Sequence, residues 1–401
     1  MKKFFSLFLM LFLIVALVAC GATSESTQGD SAETGENGGE TEGTSDPAGG
    51  DEAIKIGFIS SATEHASSQG KTEMDAAMYL KEKLKDEGIE IITYDDQSDE
   101  TTAVLNIKKL ISEDNVSIVV GGTITGTSLA MAEVAETEEV PLISMAAGEE
   151  IVVPVKPFVF KTAQSNDLVL HPILEDLQKK NMTKVAWLHV EDAYGESGYD
   201  AMEKLASEYG IEIVAKETFN ATDTDMTAQL SNIKLKDPDA TVVWTRPPSG
   251  AILTKNYKEL GFTAPLYHSH GMANNAFLEQ SGEFANDVIL GGGKLFVKDG
   301  LPDDDPQKEL LNEFTEEFGE ALGYEPTNFT GYAYDGIMLA VEAVKNAGSD
   351  PAAIRDYLEN SIQDFVGVTG VFTFSPEDHN GLSPESATLM QVKDVDWAPY
   401  E

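Results

Sequence analysis

The sequence predicts an α/β protein built from two doubly wound halves. Short apolar runs typical of buried strands alternate with segments whose apolar residues recur at helical spacing. This alternation occurs twice, in two stretches of similar size. The last stretch of the chain adds helices without new parallel strands, which indicates that the chain returns to complete an earlier half.

The first half begins at Ala53, where the composition changes to that of a folded domain. The apolar run 54–59 predicts a buried strand. The segment 70–86 carries Met74, Leu80 and Leu84 at helical spacing before Gly88, which predicts a helix. Strands are then predicted at 89–94, 117–121 and 141–144, and helices at 101–111 and 128–137.

The second half repeats the alternation from residue 185 onward. Strands are predicted at 185–189, 211–219, 240–244, 266–268 and 288–290, and helices at 198–209, 226–234 and 250–260. Two later helices are predicted at 307–322 and 330–347. The chain is then predicted to end in a hairpin of 369–374 with 387–392, around the turn-rich segment 375–384.

The N-terminus has the pattern of an export signal. Lys2 and Lys3 precede the apolar run 4–18, which is shorter than the roughly 20 residues that span a bilayer. Small residues then lead to Cys20, and this arrangement resembles the lipobox of bacterial lipoproteins, whose cysteine is lipidated and becomes the mature N-terminus. The alternative is an ordinary secretory signal in which Cys20 has no role. Cys20 is the single cysteine of the sequence, so it predicts neither a disulfide nor a thiolate cluster.

Residues 21–52 predict a disordered acidic tether. They hold nine acidic residues and no lysine, arginine or aromatic residue, so they cannot bury enough apolar surface to fold. The whole chain carries 69 acidic and 27 basic residues, a net charge of −42. Such a surface repels nucleic acid, and we therefore expect no DNA or RNA partner. Strong acidity is also a device that keeps proteins soluble in a saline or alkaline habitat.

Hydroxylated loops follow three predicted strands of the first half. Doubly wound sheets bind ligands at the carboxyl ends of their strands, and small hydroxyls with free N–H groups suit an oxyanion. The alternative is plain helix capping by serine and threonine. The candidate binding residues in these loops are Ser61, Thr63, Thr125, Thr127, Ser128, Ser144, Ala146 and Ala147.

Several motifs together resemble the type I periplasmic binding proteins of the branched-chain amino acid-binding family, which are extracellular receptors for ABC importers. The match runs from Ile54 to about Trp397, and its specificity comes from the order of its pieces. They are the opening strand and loop, 121–128, 140–147, 192–195, 257–262, 268–274, 332–335 and 367–370.

The resemblance implies two Rossmann-like lobes joined by three crossover strands, which close on a ligand like a hinge. Lobe 1 is expected to comprise 53–165 and 294–365, and lobe 2 to comprise 166–293 and 366–398. In amino-acid-binding members, groups at 127–128 and 144–148 hold the ligand carboxylate, and a tyrosine at the position of Tyr194 faces it from the other lobe.

Two departures from the family pattern change the expected ligand. Gly148 stands where such members usually have threonine, and His270 stands where they have an acidic residue that pairs with the ligand ammonium. His270 and Arg246 could instead bind a carboxylate, and Trp244 with Tyr194 could flank an aromatic or aliphatic body. The alternative places Trp244 in the core and Arg246 in a surface ion pair. The sequence therefore favours a small organic acid over a branched-chain amino acid.

Other classes of function find less support. The segment 69–72 lacks the first glycine of a phosphate-binding loop. No nucleophile, base or paired-carboxylate spacing indicates a hydrolase, and His268 with His270 lacks a third zinc ligand. A sensory receptor would need a membrane helix or effector domain, and none is predicted after Trp397. We expect no enzyme activity, no cofactor and no metal, and a monomer that works outside a cell membrane, tethered by lipid, with an ABC permease as partner. A Gram-positive surface fits a lipid-tethered binding protein best.

Overall fold

The computed structural model describes residues 53–400, and Cys20 and the predicted export signal and tether lie outside the described residues. The first half contains strands β1 (Ile54–Ser60), β2 (Ile89–Asp95), β3 (Ile118–Gly121), β4 (Leu142–Ser144) and β5 (Val159–Lys161). They form a parallel sheet in the order β2-β1-β3-β4-β5. The helices between them are α1 (Ser67–Leu84), α2 (Glu100–Ser112) and α3 (Thr125–Glu138).

The second half contains a seven-stranded sheet. Its parallel strands are β6 (Lys184–Val190), β7 (Glu212–Phe219), β8 (Ala240–Trp244), β9 (Leu266–His268) and β10 (Ile289–Gly292). Its helices are α4 (Asn166–Lys179), α5 (Ala193–Ala206), α6 (Thr227–Lys234), α7 (Ser249–Glu259) and α8 (Asn275–Ser281).

The C-terminal part of the chain serves both sheets. It contains helices α9 (Lys308–Leu322), α10 (Asn328–Ala347) and α11 (Pro351–Ser361), and strands β11 (Phe365–Val366), β12 (Val371–Phe372), β13 (Thr388–Lys393) and β14 (Asp396–Pro399). Strands β13 and β14 add antiparallel to β10, which gives the order β14-β13-β10-β9-β8-β6-β7. The α/β class and the doubly wound architecture predicted from the sequence are therefore confirmed.

The predicted C-terminal hairpin is wrong. Strand β12 pairs with β11 and not with the segment 387–392, while β13 pairs with β10 and β14. An alternating pattern identifies a strand but not its partner, and the free edge of β10 offers β13 a longer pairing than β12 could.

Separate hydrophobic clusters support the two sheets. The cluster of the first sheet includes residues of α9, α10 and α11, and it extends to Phe372, Phe374 and Leu382. Met390 and Val392 pack instead with the second sheet. The lobe boundaries given above stay a prediction.

Gln164 joins the segments that connect the sheets. Its Nε2 atom donates to the carbonyl oxygens of Thr369 (2.6 Å) and Ser386 (3.2 Å), and its Oε1 accepts from the Tyr332 hydroxyl (3.0 Å). Gln164 lies between β5 and α4, where the chain passes from the first sheet to the second. Its buried amide therefore holds this connection to the C-terminal part of the chain.

Candidate functional site

A cavity lies where the carboxyl ends of the two parallel sheets meet. The free space inside it is about 30 Å³, room for one or two water molecules, and the two halves lie close together around it. The loops after β3, β4 and β5 line it from the first half, and the loops after β6, β8 and β9 line it from the second. The lining residues are Gln69, Thr123, Ile124, Thr125, Met145, Ala147, Ala163, Tyr194, Arg246, His270, Gly271, Phe329 and Tyr332.

Four helices begin at this cavity. Gln69 lies in the first turn of α1, Thr125 is the first residue of α3, Tyr194 is the second residue of α5, and Phe329 is the second residue of α10. The N-terminus of a helix carries partial positive charge and unpaired N–H groups. Asp192 caps α5 and Thr327 caps α10, whereas α1 and α3 have no side-chain cap, so the ends of α1 and α3 are the ones that favour an anionic group.

Arg246 supplies a guanidinium to the cavity wall. Its side chain is buried, and Nη2 lies 2.5 Å from Oδ2 of Asp192. Asp192 also caps α5, because its Oδ1 accepts the Gly195 N–H at 3.0 Å. Among the described residues that line the cavity, none is acidic. The lining therefore presents a cation whose counter-charge lies just outside it.

Two buried polar atoms of lining residues, His270 Nδ1 and Thr125 Oγ1, have no hydrogen-bond partner among the described residues. Burial lowers the pKa of His270 to about 3, with Lys161 contributing, so the imidazole is neutral at physiological pH. A buried polar atom without a partner is costly. A ligand with polar atoms would satisfy both of them.

Aromatic and apolar side chains form the rest of the wall. The Tyr194 ring lies 5.8 Å from the His270 ring in an edge-on contact, and its hydroxyl oxygen accepts the Gly271 N–H at 3.2 Å. Phe329 and Tyr332 pack edge-to-face at 5.4 Å. Burial raises the pKa of both tyrosine hydroxyls, so these groups stay neutral. The body of a ligand would thus contact mostly apolar surface.

Five of the predicted site residues line the cavity. They are Thr125, Ala147, Tyr194, Arg246 and His270. Trp244, considered as a flanking ring, does not line the cavity. It is fully buried and stacks on Trp187 at 5.4 Å, and its ring lies behind the lining, 5.9 Å from that of His270 and 6.2 Å from that of Tyr194. Arg246 is expected either to bind the ligand or to form a surface ion pair. It lines the cavity and also forms an ion pair, which is buried. The ligand-binding roles of these residues stay predictions.

The other predicted residues lie near the cavity but do not line it. Ser128 Oγ is bonded to Ser144 Oγ at 2.8 Å, which joins the loops after β3 and β4. Ser61 N–H donates to Thr123 Oγ1, Thr63 Oγ1 donates to Asp95, Thr127 Oγ1 donates to the Ile124 carbonyl oxygen, and Ala146 packs in an apolar cluster. The Ser128, Ser144, Thr63 and Thr127 hydroxyls thus fix loops and adjacent turns, whereas the Ser61 hydroxyl is buried without a partner among the described residues.

Sequence reasoning missed eight lining residues. Ile124 and Met145 lie in the loops identified as candidates, but an apolar side chain gave no chemical signal there. Phe329 comes from a helix that is distant in sequence, and Gln69 lies in the segment dismissed as a phosphate-binding loop. The others are Thr123, Ala163, Gly271 and Tyr332.

Position 148 has no room for a side chain, which explains why glycine stands there instead of threonine. A side-chain carbon added there would lie 2.4 Å from the Thr125 methyl group. Threonine at 148 would therefore collide with the residue whose hydroxyl faces the cavity.

Residues 53–400 lack the features of a metal site and of a membrane-spanning helix. No group of three or more histidine, cysteine, aspartate or glutamate side chains in this part of the chain could hold a metal ion. No helix in it has the length and apolarity needed to cross a membrane.

Comparison with known proteins places the site in context. Residues 53–396 match the sequence pattern of the periplasmic binding protein family. Leu/Ile/Val-binding protein homolog 2 of Brucella abortus is 26% identical over 310 residues, 75% of this chain and 79% of the relative. An extracellular ligand-binding receptor from Rhodopseudomonas palustris superposes with a TM-score of 0.82 at 27% identity, covering 87% of this chain and 99% of the receptor. The branched-chain amino acid transporter substrate-binding protein of Streptococcus pneumoniae, solved with isoleucine, superposes with a TM-score of 0.75 at 25% identity. The match covers 86% of this chain and 97% of that protein.

Proposed function

Because the chain belongs to the periplasmic binding protein family, whose members bind solutes and are not enzymes, we propose that it captures a small organic acid between its two halves and delivers it to an ABC importer. The observation that carries this proposal is the charge of the cavity wall. Arg246 and the uncapped N-termini of α1 and α3 face the cavity, and no acidic side chain of the described lining opposes them.

A carboxylate is the group that this wall favours. A guanidinium and the N–H groups at helix starts both donate to an anion, and their effect is larger in a closed cavity than in water. The neutral His270 ring and the Thr125 hydroxyl add a hydrogen-bonding partner from each half. A ligand carboxylate between them would satisfy groups that are otherwise unpaired.

The wall offers little to an α-ammonium group. A buried ammonium needs a carboxylate or several oxygen acceptors, and the nearest carboxylate to Arg246, that of Asp192, is already paired. The Streptococcus relative was solved with isoleucine, so a branched aliphatic body remains compatible with the family. Tyr194, Phe329 and Tyr332 would accept either an aliphatic or an aromatic body.

Closure of the two halves would bury the ligand. Direct contacts already join them: Gln69 Nε2 donates to the Gly271 carbonyl oxygen at 3.3 Å, and Ser197 Oγ donates to Glu150 Oε2 at 2.7 Å. Hinge closure of this kind sequesters a ligand without chemistry and presents a closed form to a partner. Delivery can be tested by measuring, with calorimetry, the affinity of the protein for membranes that contain the cognate permease. The measurement is made with and without ligand.

A thermal-shift screen tests the proposed ligand class, since a ligand that binds only the folded state raises the melting temperature. The probes are benzoate, 4-methylpentanoate, succinate and L-leucine. We expect the largest shifts from benzoate and 4-methylpentanoate, which combine a carboxylate with an apolar body and have no ammonium group. Stabilisation by L-leucine alone would contradict the proposal.

Replacing Arg246 by alanine should weaken binding of the best acid by about tenfold or more, because the acid loses its charged donor. Titration calorimetry gives the affinity directly. Arg355→Ala is the matched control, since Arg355 also forms ion pairs with carboxylates, those of Asp356 and Glu359, but lies away from the cavity. Unchanged affinity in Arg246→Ala would remove Arg246 from the site.

Lipid anchoring through Cys20 belongs to the same proposal. A lipidated N-terminus would hold the binding protein near its permease, and two acyl chains suffice for stable anchoring. Cys20→Ser should release the protein from the membrane fraction of cells that express it. Equal membrane retention of the variant would count against the anchor.

A further inference from the structure

A carboxyl group that the binding site does not use directly lies behind its wall. Glu73 of α1 is completely buried, and its Oε2 atom contacts the hydroxyl of Thr123, which lines the cavity. The same Thr123 oxygen accepts the Ser61 N–H at 2.8 Å. Glu73 Oε1 has no partner among the described residues.

The Thr123 hydroxyl has one proton and two acceptor sites. One acceptor site is taken by Ser61. If Glu73 is ionised, the hydroxyl proton must point at the carboxylate and away from the cavity. If Glu73 carries a proton, it can donate that proton to the second acceptor site of Thr123 Oγ1. The hydroxyl proton of Thr123 is then free to point at a ligand.

The surroundings of Glu73 disfavour its ionised form. The titratable groups that act on it are Asp96, which follows β2, and Tyr332 on α10, and neither supplies positive charge. Among the described residues, no basic side chain forms an ion pair with Glu73. Burial raises the pKa of Glu73 to about 8. The hydrogen bond from Thr123 acts in the opposite direction, and the Asp96 charge adds a smaller upward contribution. The carboxyl group is therefore protonated at neutral pH.

We propose that Glu73 is a positioning residue that, in its protonated form, turns the Thr123 hydroxyl toward the ligand carboxylate, so that binding of the acid is coupled to a proton on Glu73. This inference rests on the proposed function, because it requires an anionic ligand. An ionised Glu73 would withdraw the Thr123 donor and also place a negative charge behind a site that binds an anion.

The pH dependence has a definite sign. The protonated form binds the acid, so affinity is constant while Glu73 keeps its proton and falls as pH rises through the pKa of the free protein. Well above that pKa the loss approaches about tenfold per pH unit. Lys161, buried near His270, also loses charge in this range, because burial lowers its pKa to about 8. The contribution of Glu73 is therefore the difference between the wild type and a variant.

The test is titration calorimetry at about pH 6.5, 8 and 9.5 with benzoate, 4-methylpentanoate and L-leucine, using the full chain. Glu73→Gln keeps the shape and the donor but cannot ionise. We expect it to keep its low-pH affinity for the acid and to lose roughly tenfold less affinity than the wild type at the highest pH. Thr123→Val should bind the acid more weakly at every pH. Adding Glu73→Gln to it should recover less high-pH affinity than Glu73→Gln does in the wild type, because only the repulsion by the ionised carboxylate is then removed.

Two results would overturn the inference. Identical pH profiles for the wild type and Glu73→Gln would separate Glu73 from binding. Loss of L-leucine binding in Glu73→Gln would show that the ionised carboxylate pairs with a ligand ammonium. If none of the three probes binds the wild type, the proposed function fails and this inference fails with it, whereas binding of an acid without a difference between the proteins removes the inference alone.

Discussion

Arg246 and Gly271 illustrate how single residues set the character of the cavity. Arg246 brings charge, and its pairing with Asp192 keeps the guanidinium in a fixed position. Gly271 brings space: a carbon added to it would lie 2.5 Å from the Thr245 carbonyl oxygen and 2.9 Å from the Tyr194 hydroxyl. Tyr194 can approach the loop after β9 because no side chain stands between them.

Gly271→Ala should therefore displace Tyr194 and weaken binding of the acid by about tenfold, since overpacking of a close contact costs about 1–3 kcal/mol. Calorimetric titration measures the change. Gly319→Ala in α9 is the control, because no heavy atom lies within 4 Å of the added carbon. That variant should bind normally and gain about 0.5–1 kcal/mol in the free energy of unfolding. Full affinity in Gly271→Ala would show that the Tyr194 position is not critical.

The limits of sequence reasoning are clearest at the residue scale. Thr125, Ala147 and Tyr194 could be found because they lie just after strands or at helix starts, where doubly wound folds bind ligands. Phe329 and Tyr332 could not, because nothing local indicates that α10 begins at the cavity. Ser128 and Ser144 have the right chemistry, but each satisfies the other.

At the scale of elements, α10 connects the stability of the fold with the site. Thr327 caps this helix, and its side chain and that of Thr330 form a reciprocal capping box. The first turn of α10 then supplies Phe329 to the cavity and, one turn later, Tyr332. The capped end both stabilises the helix and fixes two rings that line the cavity.

Thr327→Ala should lower the free energy of unfolding by about 1 kcal/mol, the usual cost of losing an N-cap. Chemical denaturation is the measurement. Thr137→Ala provides the comparison: Thr137 is exposed in α3 and donates to the Glu133 carbonyl oxygen, so its loss should change stability by less than about 0.5 kcal/mol. Equal stability of the two variants would contradict the capping role.

Most elements could be predicted because apolar spacing distinguishes strands from helices locally. Strands β1 and β2 and helix α2 lie close to their predicted positions. The short strands β5 and β14 escaped prediction, and so did helices α4, of 14 residues, and α11, of 11 residues. Three or four residues are too few for a periodic pattern, and α4 contains Pro172, which argues against a helix in the sequence. The wrong hairpin has a related cause, since the pairing of β13 with β10 joins segments almost a hundred residues apart.

At the scale of the whole molecule, the proposed site for an anion lies in a strongly negative chain. The net charge of −42 repels anions at long range, so the local field of Arg246 and the uncapped helix ends has to dominate within the cavity. Long-range repulsion is screened by salt within about 10 Å at 0.1 M, whereas groups buried by closure are screened much less. Affinity for the acid should thus be governed by contacts in the closed cleft.

The most direct test of the central claim compares, by calorimetry, the affinities of an acid and its amide. The aliphatic pair is 4-methylpentanoate and 4-methylpentanamide, and the aromatic pair is benzoate and benzamide. The two members of each pair have nearly the same shape and differ in charge. We predict that the acid binds at least about tenfold more tightly than the amide, because only the acid pairs with Arg246 and the helix N-termini. Equal affinities within each pair, or tighter binding of the amide, would contradict a site built for a carboxylate.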